Sequence, residues 1–374
     1  MVLGGMRGRL KKQASFIAPF SIESLVETQL PQNHPLRRIK AEAESVLKSL
    51  SFEFDRLYAD RGRPSVPPEL MLMALLWQAL FSIRSERQLT ECLRFDLRCR
   101  WFVGLPLNQE VFDSSTFSKN REDLRLEIIG ELFFKRHVAF LREEGLLSSD
   151  HLSVDGSLLA AWASPKSLVR RDELDKGGKP PVPPEGGRNG WVDFKGEKRS
   201  NETHVSASDP DSKLASKGAG AKLSHELNIV AENRNNFVVA YTVNPPTGTS
   251  ERDAAQSLIE QECKAERAPE TVGADRKYSE GEKLTEALFD LSVKPHFAVR
   301  DDRPNALARL FHDDDFKISI RKRMRIEEIF GYIKSVCGLS KVKVRGTLRV
   351  YGVAGLALSA YNLTHQARLA LAGQ

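Results

Sequence analysis

HLSVDGSLLAAW, residues 151–162, decides the fold class, because the chain changes there from helical to strand patterns. Helical patterns continue up to about Glu144, whereas β-prone runs follow at 226–244, 271–278 and 293–300. The run at 226–244 predicts two strands with a turn between them, and helical patterns lie at 251–266 and 279–291. The order β-β-β-α-β-α-β-α predicts a mixed α/β sheet with antiparallel strands at its start.

The chain before this sheet is predicted to be helical. ELMLMALLWQALFSI at 69–83 indicates a buried helix and SERQLTECLRF at 85–95 a charged one. Short helices joined by tight turns are typical of DNA-binding modules, and equally of an ordinary helical bundle. We expect an N-terminal segment at 1–60, a helical DNA-binding domain at 61–145, a catalytic domain at 146–345 and a C-terminal helical segment at 346–374.

A polar segment at about 164–223 interrupts the predicted sheet. Within 177–196, ten of twenty residues are Gly or Pro, which excludes a helix or a central strand. Connections of this length are usually functional or disordered, so we expect a flexible insertion.

Composition limits the class of protein. The 374 residues are 41% hydrophobic and 28% charged, as in soluble globular chains. The four cysteines lack metal-ligand spacing and indicate neither a zinc site nor a disulfide framework. No apolar stretch has signal-peptide character or approaches the ~18 residues of a membrane span. We therefore expect a cytoplasmic protein.

Basic residues are concentrated near the C-terminal end, although the whole chain has a net charge of only +6. Between Lys317 and Arg349 there are ten Lys or Arg residues and two acids, Glu327 and Glu328. A charge run is most often a solvated face. Here the excess surrounds an acidic pair and is sufficient to attract a polyanion such as nucleic acid.

Two aspartates, Asp155 and Asp275, each follow a short β-prone run. Either one alone is most simply explained as the start of a turn. Ligands bind at strand ends in α/β sheets, however, so the two carboxylates could lie side by side although 120 positions separate them (275 − 155).

ISIRKRMRIEEIFGYIKSVC, residues 318–337, is predicted to form one amphipathic helix. At a step of ~100° per residue its apolar residues form one stripe: Ile326, Ile329, Phe330, Ile333 and Cys337. Relative to Arg323, Glu327 falls at about 40° and Lys334 at about 20°. Glu328, at about 140°, points into solvent. The phase selects Glu327 over its neighbour, although Arg323 and Glu327 alone could be a simple i, i+4 ion pair.

These residues resemble those of the bacterial DDE insertion-sequence transposases, in the branch with the signature Tyr-x2-Arg-x3-Glu-x6-Lys. Arg323, Glu327 and Lys334 match its last three positions, whereas Ile320 occupies the position of the Tyr. Further resembling blocks are SVDGSLLAAWAS, THVSASDPDSKL, AENRNNFVVAYTV, GTSERDAA, VGADRKYS and the helical region 61–124. The resemblance covers most of residues 35–365. It implies an RNase H-like mixed sheet flanked by helices, preceded by an all-α N-terminal domain.

The resemblance also implies a site and its chemistry. Asp155, Asp275 and Glu327 are expected to hold two Mg²⁺ ions, with Mn²⁺ as a substitute, since hard cations prefer carboxylate oxygens. Two such ions activate the nucleophile and stabilise the charge on a scissile phosphate. Arg323 and Lys334 are expected to bind DNA phosphates, and Lys277 likewise.

The expected activity is cleavage of DNA at the ends of an insertion sequence, followed by transfer of the freed 3′-hydroxyl into target DNA. The partners are then double-stranded DNA, as terminal inverted repeats and as target, and a second copy of the chain in a homodimeric active complex. We expect the protein at the nucleoid of a bacterial cytoplasm.

Three alternatives stay open on the sequence alone. A metal-dependent nuclease or resolvase would use the same acids without strand transfer. A catalytically inactive, DNA-binding relic would keep the fold, but the intact acidic triad argues against it. Paired glycosidase carboxylates are a third possibility, although the basic surroundings are unusual for a neutral sugar.

Overall fold

The computed structural model describes residues 3–6, 21–59, 65–123, 126–171, 200–217, 220–280, 282–299 and 305–372. The chain divides into two units, each discontinuous in sequence. The helical unit comprises Met1–Leu146, Gly331–Leu339 and Gly352–Gln374. The sheet unit comprises Leu147–Phe330 and Ser340–Tyr351.

The helical unit contains short helices with well-defined starts. Ser21 and Ser85 each cap a helix by accepting a hydrogen bond from the backbone N–H three residues later, and Pro35 and Pro68 occupy first helical positions, where no N–H is required. A short parallel pair, β1 (Leu3–Met6) and β2 (Tyr58–Ala59), accompanies them. The helices are α1 (Ile22–Gln29), α2 (Pro35–Ser49), α3 (Ser51–Leu57), α4 (Pro68–Leu80), α5 (Glu86–Phe95), α6 (Leu97–Val103), α7 (Ser114–Asp123) and α8 (Leu126–Glu143).

The sheet unit is built on one mixed sheet. Its strands follow the order β10-β9-β3-β7-β6, with β8 also paired to β7. β3 is parallel to β9 and antiparallel to β7, and β9 is parallel to β10. The strands, with the separate β4–β5 pair, are β3 (His151–Ala160), β4 (Leu168–Arg170), β5 (His204–Ser206), β6 (Lys213–Ala215), β7 (Lys222–Glu232), β8 (Val238–Asn244), β9 (Thr271–Ala274) and β10 (Lys294–Phe297).

Helices cover this sheet and bury β7 from Leu223 to Glu232. The remaining helices are α9 (Ser250–Lys264), α10 (Lys283–Asp290), α11 (Ala306–Arg309), α12 (Asp314–Arg323), α13 (Ile326–Ser335) and α14 (Thr347–Ala372). α9 packs on β7, β8 and β3, and α12 packs on β9, β3 and β10. None of the described helices is long and apolar enough to cross a membrane.

The predicted fold class is confirmed. The strands and helices from β3 to α10 appear in the expected order, and helices precede the sheet. The Gly- and Pro-rich part of the expected insertion, 177–196, lies outside the described residues. The parts of 164–223 that are described contain three short strands, β4 to β6, of which β6 joins the main sheet.

The prediction of one helix through 318–337 is wrong. α12 ends at Arg323 and α13 begins at Ile326, with a turn at Met324 and Arg325 between them. The charges explain the break: α12 ends in basic residues and α13 opens with Glu327 and Glu328, as the helix dipole favours at each terminus.

Candidate active site

Asp155 and Asp275 lie on neighbouring parallel strands. His151 pairs with Thr271 and Ser153 with Gly273, so the register places Asp155 level with Asp275, two positions beyond the last pair. β3 continues to Ala160 against β7, so Asp155 lies within its strand and not at the end that the sequence predicted. The parallel partner nevertheless stops just before it, which leaves the two carboxylates adjacent at the edge where β9 ends.

The Asp155 carboxyl is half-buried and poorly compensated. Its pKa is raised to about 6, chiefly by burial and to a smaller extent by the neighbouring charge of Asp275. Three groups act in the opposite direction: the Gly156 N–H, which donates to Asp155 Oδ1 at 2.8 Å, and the cations Lys217 and Arg323. Burial outweighs these groups and favours the neutral form of the Asp155 carboxyl.

Asp275 also starts a turn, as the simpler interpretation of the sequence predicted. It directly follows β9 and caps the 3-10 turn Arg276–Ser279, where its Oδ1 accepts from the Lys277 N–H at 2.8 Å. The cap fixes the carboxylate at the strand end.

Arg323 ends α12, a helix that packs on the same strands. The backbone of α12 packs against Gly273: a Cβ built there would lie 3.6 Å from Ser319 O, in ordinary van der Waals contact. The positive charge of Arg323 lowers the pKa of Asp155, and its Nε is buried without a hydrogen-bond partner. This guanidinium therefore belongs to the surroundings of the aspartates.

Glu327 does not form a metal-binding group with the two aspartates in the described part of the chain. It is exposed in the first turn of α13, as is Glu328, while Ile326, Ile329 and Ile333 form the buried stripe expected. Across the described residues, no group of three or more His, Cys, Asp or Glu side chains is placed to hold a metal ion. Because Arg323 and Glu327 lie on separate helices, the helical phase does not relate them.

The two predicted lysines have different surroundings. Lys334 is half-buried near the end of α13, in a part of the chain assigned to the helical unit. Lys277 Nζ lies 2.7 Å from Glu251 Oε2. The ammonium group next to Asp275 thus already has a carboxylate partner.

Sequence reasoning missed a buried polar cluster beside Asp155. Glu251, in the first turn of α9, is 5% exposed, and its Oε1 lies 2.7 Å from Lys217 Nζ. Glu226 and Asn228 on β7 are each 2% exposed. Burial raises the pKa of Tyr278, and so do four nearby carboxylates: Asp155, Glu251, Asp275 and Glu226. The available signal was the block GTSERDAA, whose acid Glu251 was not singled out.

The arrangement suits a hard divalent cation in part. Asp155 and Asp275 offer adjacent carboxylate oxygens, and their mutual repulsion would be relieved by a cation between them. The third carboxylate of the expected triad does not complete that group in this structure. The geometry therefore brings two carboxylates together with an arginine beside them, and without a third carboxylate.

Two family models match the chain. Residues 24–123 match "Transposase domain (DUF772)", and residues 202–363 match "Transposase DDE domain". Between them they cover well over half of the chain. The second match includes Asp275 and Glu327 and begins after Asp155.

No curated protein matches the chain. Among solved structures, a piggyBac transposase synaptic complex with hairpin DNA is similar at 10% identity and a TM-score of 0.38, over 90% of this chain and 76% of that one. A Mos1 transposase paired-end complex with the left transposon end is similar at 12% identity and a TM-score of 0.19, over 86% and 85%. Likeness at this level says nothing about activity.

Proposed function

We propose that this chain, whose residues 202–363 match a transposase DDE domain, is a DDE transposase that cuts DNA at insertion-sequence ends and transfers the freed 3′-hydroxyl into target DNA. The observation that supports this most directly is the pair Asp155 and Asp275, level on adjacent parallel strands. The raised pKa of Asp155, caused first by burial, indicates that a nearby positive charge would stabilise its carboxylate.

We propose Mg²⁺ as the cofactor, as two ions, with Mn²⁺ as a substitute. When bound, the ions supply the activated nucleophile and the charge stabilisation that phosphodiester cleavage requires. Asp155 and Asp275 would hold them. Glu327 is proposed as the third ligand because it occupies the Glu position of the signature Arg323-x3-Glu327-x6-Lys334. This proposal rests on the signature and not on the position of Glu327 in the structure.

Three cations are proposed to bind DNA phosphates. Arg323 already lies near Asp155 and can bond a phosphate with two parallel N–H groups. Lys277 is half-exposed, and an ammonium group has three donors, so its ion pair with Glu251 leaves donors for a phosphate. Lys334 is assigned by the signature alone.

The partners proposed are double-stranded DNA, as terminal inverted repeats and target, and a second copy of the chain in the active complex. The helical region at 61–145 is proposed to bind DNA and residues 146–345 to carry the chemistry. The nucleoid of a bacterial cytoplasm is the proposed location.

A cleavage assay tests the function. The full chain is mixed with Mg²⁺ and a duplex that carries the inverted repeats flanking its reading frame, and nicking at the repeat end is measured. Loss of metal-bound stabilisation is worth several kcal/mol, so Asp155→Asn, Asp275→Asn and Glu327→Gln should each lower cleavage by about a thousandfold. Binding of the duplex should be retained.

Glu328→Gln is the matched control, because Glu328 is the adjacent exposed acid on the same helix turn. It should cut like the parent chain. Full activity in Asp155→Asn or Asp275→Asn would refute the site, and full activity in Glu327→Gln would remove that ligand. Cleavage without joining of a pre-cut 3′-hydroxyl end would identify a nuclease or resolvase, and binding without cleavage an inactive relic.

A further inference from the structure

One carboxylate connects the segments that carry the two aspartates. Glu251 Oε1 lies 2.7 Å from Lys217 Nζ, and Glu251 Oε2 lies 2.7 Å from Lys277 Nζ. Both oxygens of one buried side chain are therefore engaged by lysines from two distant parts of the sequence. We call this arrangement the Lys217–Glu251–Lys277 bridge.

Each lysine of the bridge is attached to one aspartate segment. Lys217 Nζ donates to the backbone oxygen of Gly156 at 2.7 Å, directly after Asp155. Lys277 follows Asp275 by two residues, and its backbone N–H donates to the Asp275 carboxylate at 2.8 Å. The bridge thus runs from the backbone beside Asp155 to the cap of Asp275.

The sheet does not provide this connection at the level of the aspartates. The pairing of β3 with β9 ends at Ser153 and Gly273, two residues before Asp155 and Asp275. At this level the connection between the two segments is made by side chains.

The sequence next to Asp155 allows Glu251 to approach. Gly156 pairs with Asn228 across β3 and β7. A Cβ built on Gly156 would lie 2.5 Å from Asn228 Oδ1 and 2.9 Å from Glu251 Cγ. A larger residue at this position would displace the Glu251 side chain, so the glycine and the bridge depend on each other.

We propose that Glu251 is a positioning residue, which through Lys217 and Lys277 holds Asp155 and Asp275 at the separation that a divalent cation requires. The inference rests on the proposed function for its role in cleavage. Its effect on the two aspartates is testable without DNA. Residues that orient metal ligands typically change metal affinity or activity by about 10–100-fold when mutated.

Binding of Mn²⁺ to the full chain without DNA, measured by calorimetry, is the first test. Glu251→Gln keeps the shape of the side chain and should weaken Mn²⁺ binding by about tenfold. Glu262→Gln is the matched control: Glu262 is a buried acid on the same helix, paired with Arg267 at 2.8 Å. It should bind Mn²⁺ like the parent. Equal weakening in both variants would overturn the proposal.

The lysines separate positioning from simple charge. If Glu251 acted only as a negative charge near the cation, Lys217→Met or Lys277→Met would tighten Mn²⁺ binding by removing a positive charge. The bridge predicts weaker binding in both, by several-fold or more. Lys283→Met, which removes an exposed lysine paired with Asp253, is the control and should change nothing. Tighter binding in the two bridge variants would overturn the proposal.

Glu251→Asp provides a second variant for the case in which Glu251→Gln does not fold, as judged by circular dichroism. It keeps the charge but is one methylene shorter, so its carboxylate cannot meet both lysines, and Mn²⁺ binding should again weaken. Binding equal to the parent would contradict the bridge.

The cleavage assay then distinguishes the two ideas. If the parent chain does not cut DNA, the proposed function fails while the Mn²⁺ measurements still decide on the bridge. If the parent cuts and Glu251→Gln binds Mn²⁺ and cuts equally well, the bridge is refuted and the function stands. The bridge expects a lower rate at saturating DNA and a higher Mg²⁺ requirement, with the KM for DNA unchanged.

Discussion

The two units differ in what they bury. Among the described residues, all five buried acids lie in the sheet unit: Asp209, Glu226, Glu232, Glu251 and Glu262. The core of the helical unit is mainly apolar, with exceptions such as His137, which contacts Gln366 at 3.2 Å. Burying charge costs free energy unless each charge is paired. The sheet unit carries that cost, and the helical unit largely avoids it.

Most of the buried acids have a structural task. Glu232 accepts backbone N–H bonds from Asn235 at 2.7 Å and Arg234 at 2.9 Å, which closes the β7–β8 turn. Asp209 pairs with the buried His225 at 3.0 Å. Glu226 and Glu251, beside Asp155, differ in that they form no such turn or cap, which is consistent with a role in the site.

The largest effect expected is a packing failure confined to the helical unit. In Gly130→Ala the new Cβ would collide with the backbone oxygen of Gly352, which cannot move aside as a side chain can. We expect a loss of about 3 kcal/mol or more in the free energy of unfolding. Urea denaturation of the full chain measures it.

Gly156→Ala is the counterpart in the sheet unit. Its Cβ meets the side chains of Asn228 and Glu251, which can shift, so a smaller loss of stability is expected together with a loss of Mn²⁺ binding. A larger loss of stability in Gly156→Ala than in Gly130→Ala, or unchanged Mn²⁺ binding in Gly156→Ala, would contradict the expected difference between a contact with side chains and a contact with backbone.

Acid should destabilise the helical unit through His137. Burial lowers the pKa of His137 to about 4 from its ordinary 6.5, so the folded state requires the neutral ring. Between pH 6.5 and pH 4 the unfolded chain binds more protons than the folded chain. The free energy of unfolding therefore falls as the pH is lowered from 6.5 through 4, by up to about 3 kcal/mol in total. Urea midpoints between pH 4.5 and 7.5 measure this, with His137→Gln flattening the dependence. Equal slopes in both proteins would contradict it.

Acid should act in the opposite direction at Asp155. Its pKa in the folded state is raised from 3.8 to about 6, chiefly by burial. The charged carboxylate therefore lowers the free energy of unfolding above about pH 6, and this loss disappears as the pH falls toward 4. In EDTA at pH 7.5, Asp155→Asn should therefore be more stable than the parent by about 1–2 kcal/mol. The gain should shrink below pH 6. Asp290→Asn, at an exposed position, should show no gain; a gain in both variants would point to net charge instead.

The sequence predicted the sheet and the aspartate pair because their signals are local. A β-prone run followed by an acid marks both Asp155 and Asp275, and the alternation of strands and helices predicts a mixed sheet in which strand ends can meet. The parallel register of β3 and β9 that brings them level is seen only in the structure. The turn at Met324 and Arg325 was also visible locally: Arg321 to Arg323 suit a helix end, and Glu327 and Glu328 suit a helix start. The prediction of one continuous helix considered only the periodicity of the apolar residues and not these charges.

The bridge could not be predicted in this way. Glu251 in the first turn of a helix is an ordinary acid at a helix start, and Lys217 lies in a polar segment without a motif. Their pairing depends on how α9 packs on β3 and on the register of Gly156 against Asn228. Such pairings between distant segments are set by tertiary packing, which local patterns do not contain.

The pairing of β3 with β9 also affects how the protein is made. It joins residues 120 positions apart (His151 with Thr271), and contacts of such long sequence separation form slowly because closing a long loop costs conformational entropy. On the ribosome, Asp155 emerges well before Asp275 and Arg323. Any translation product that stops before residue 275 lacks Asp275, so the aspartate pair forms only after synthesis has passed that residue.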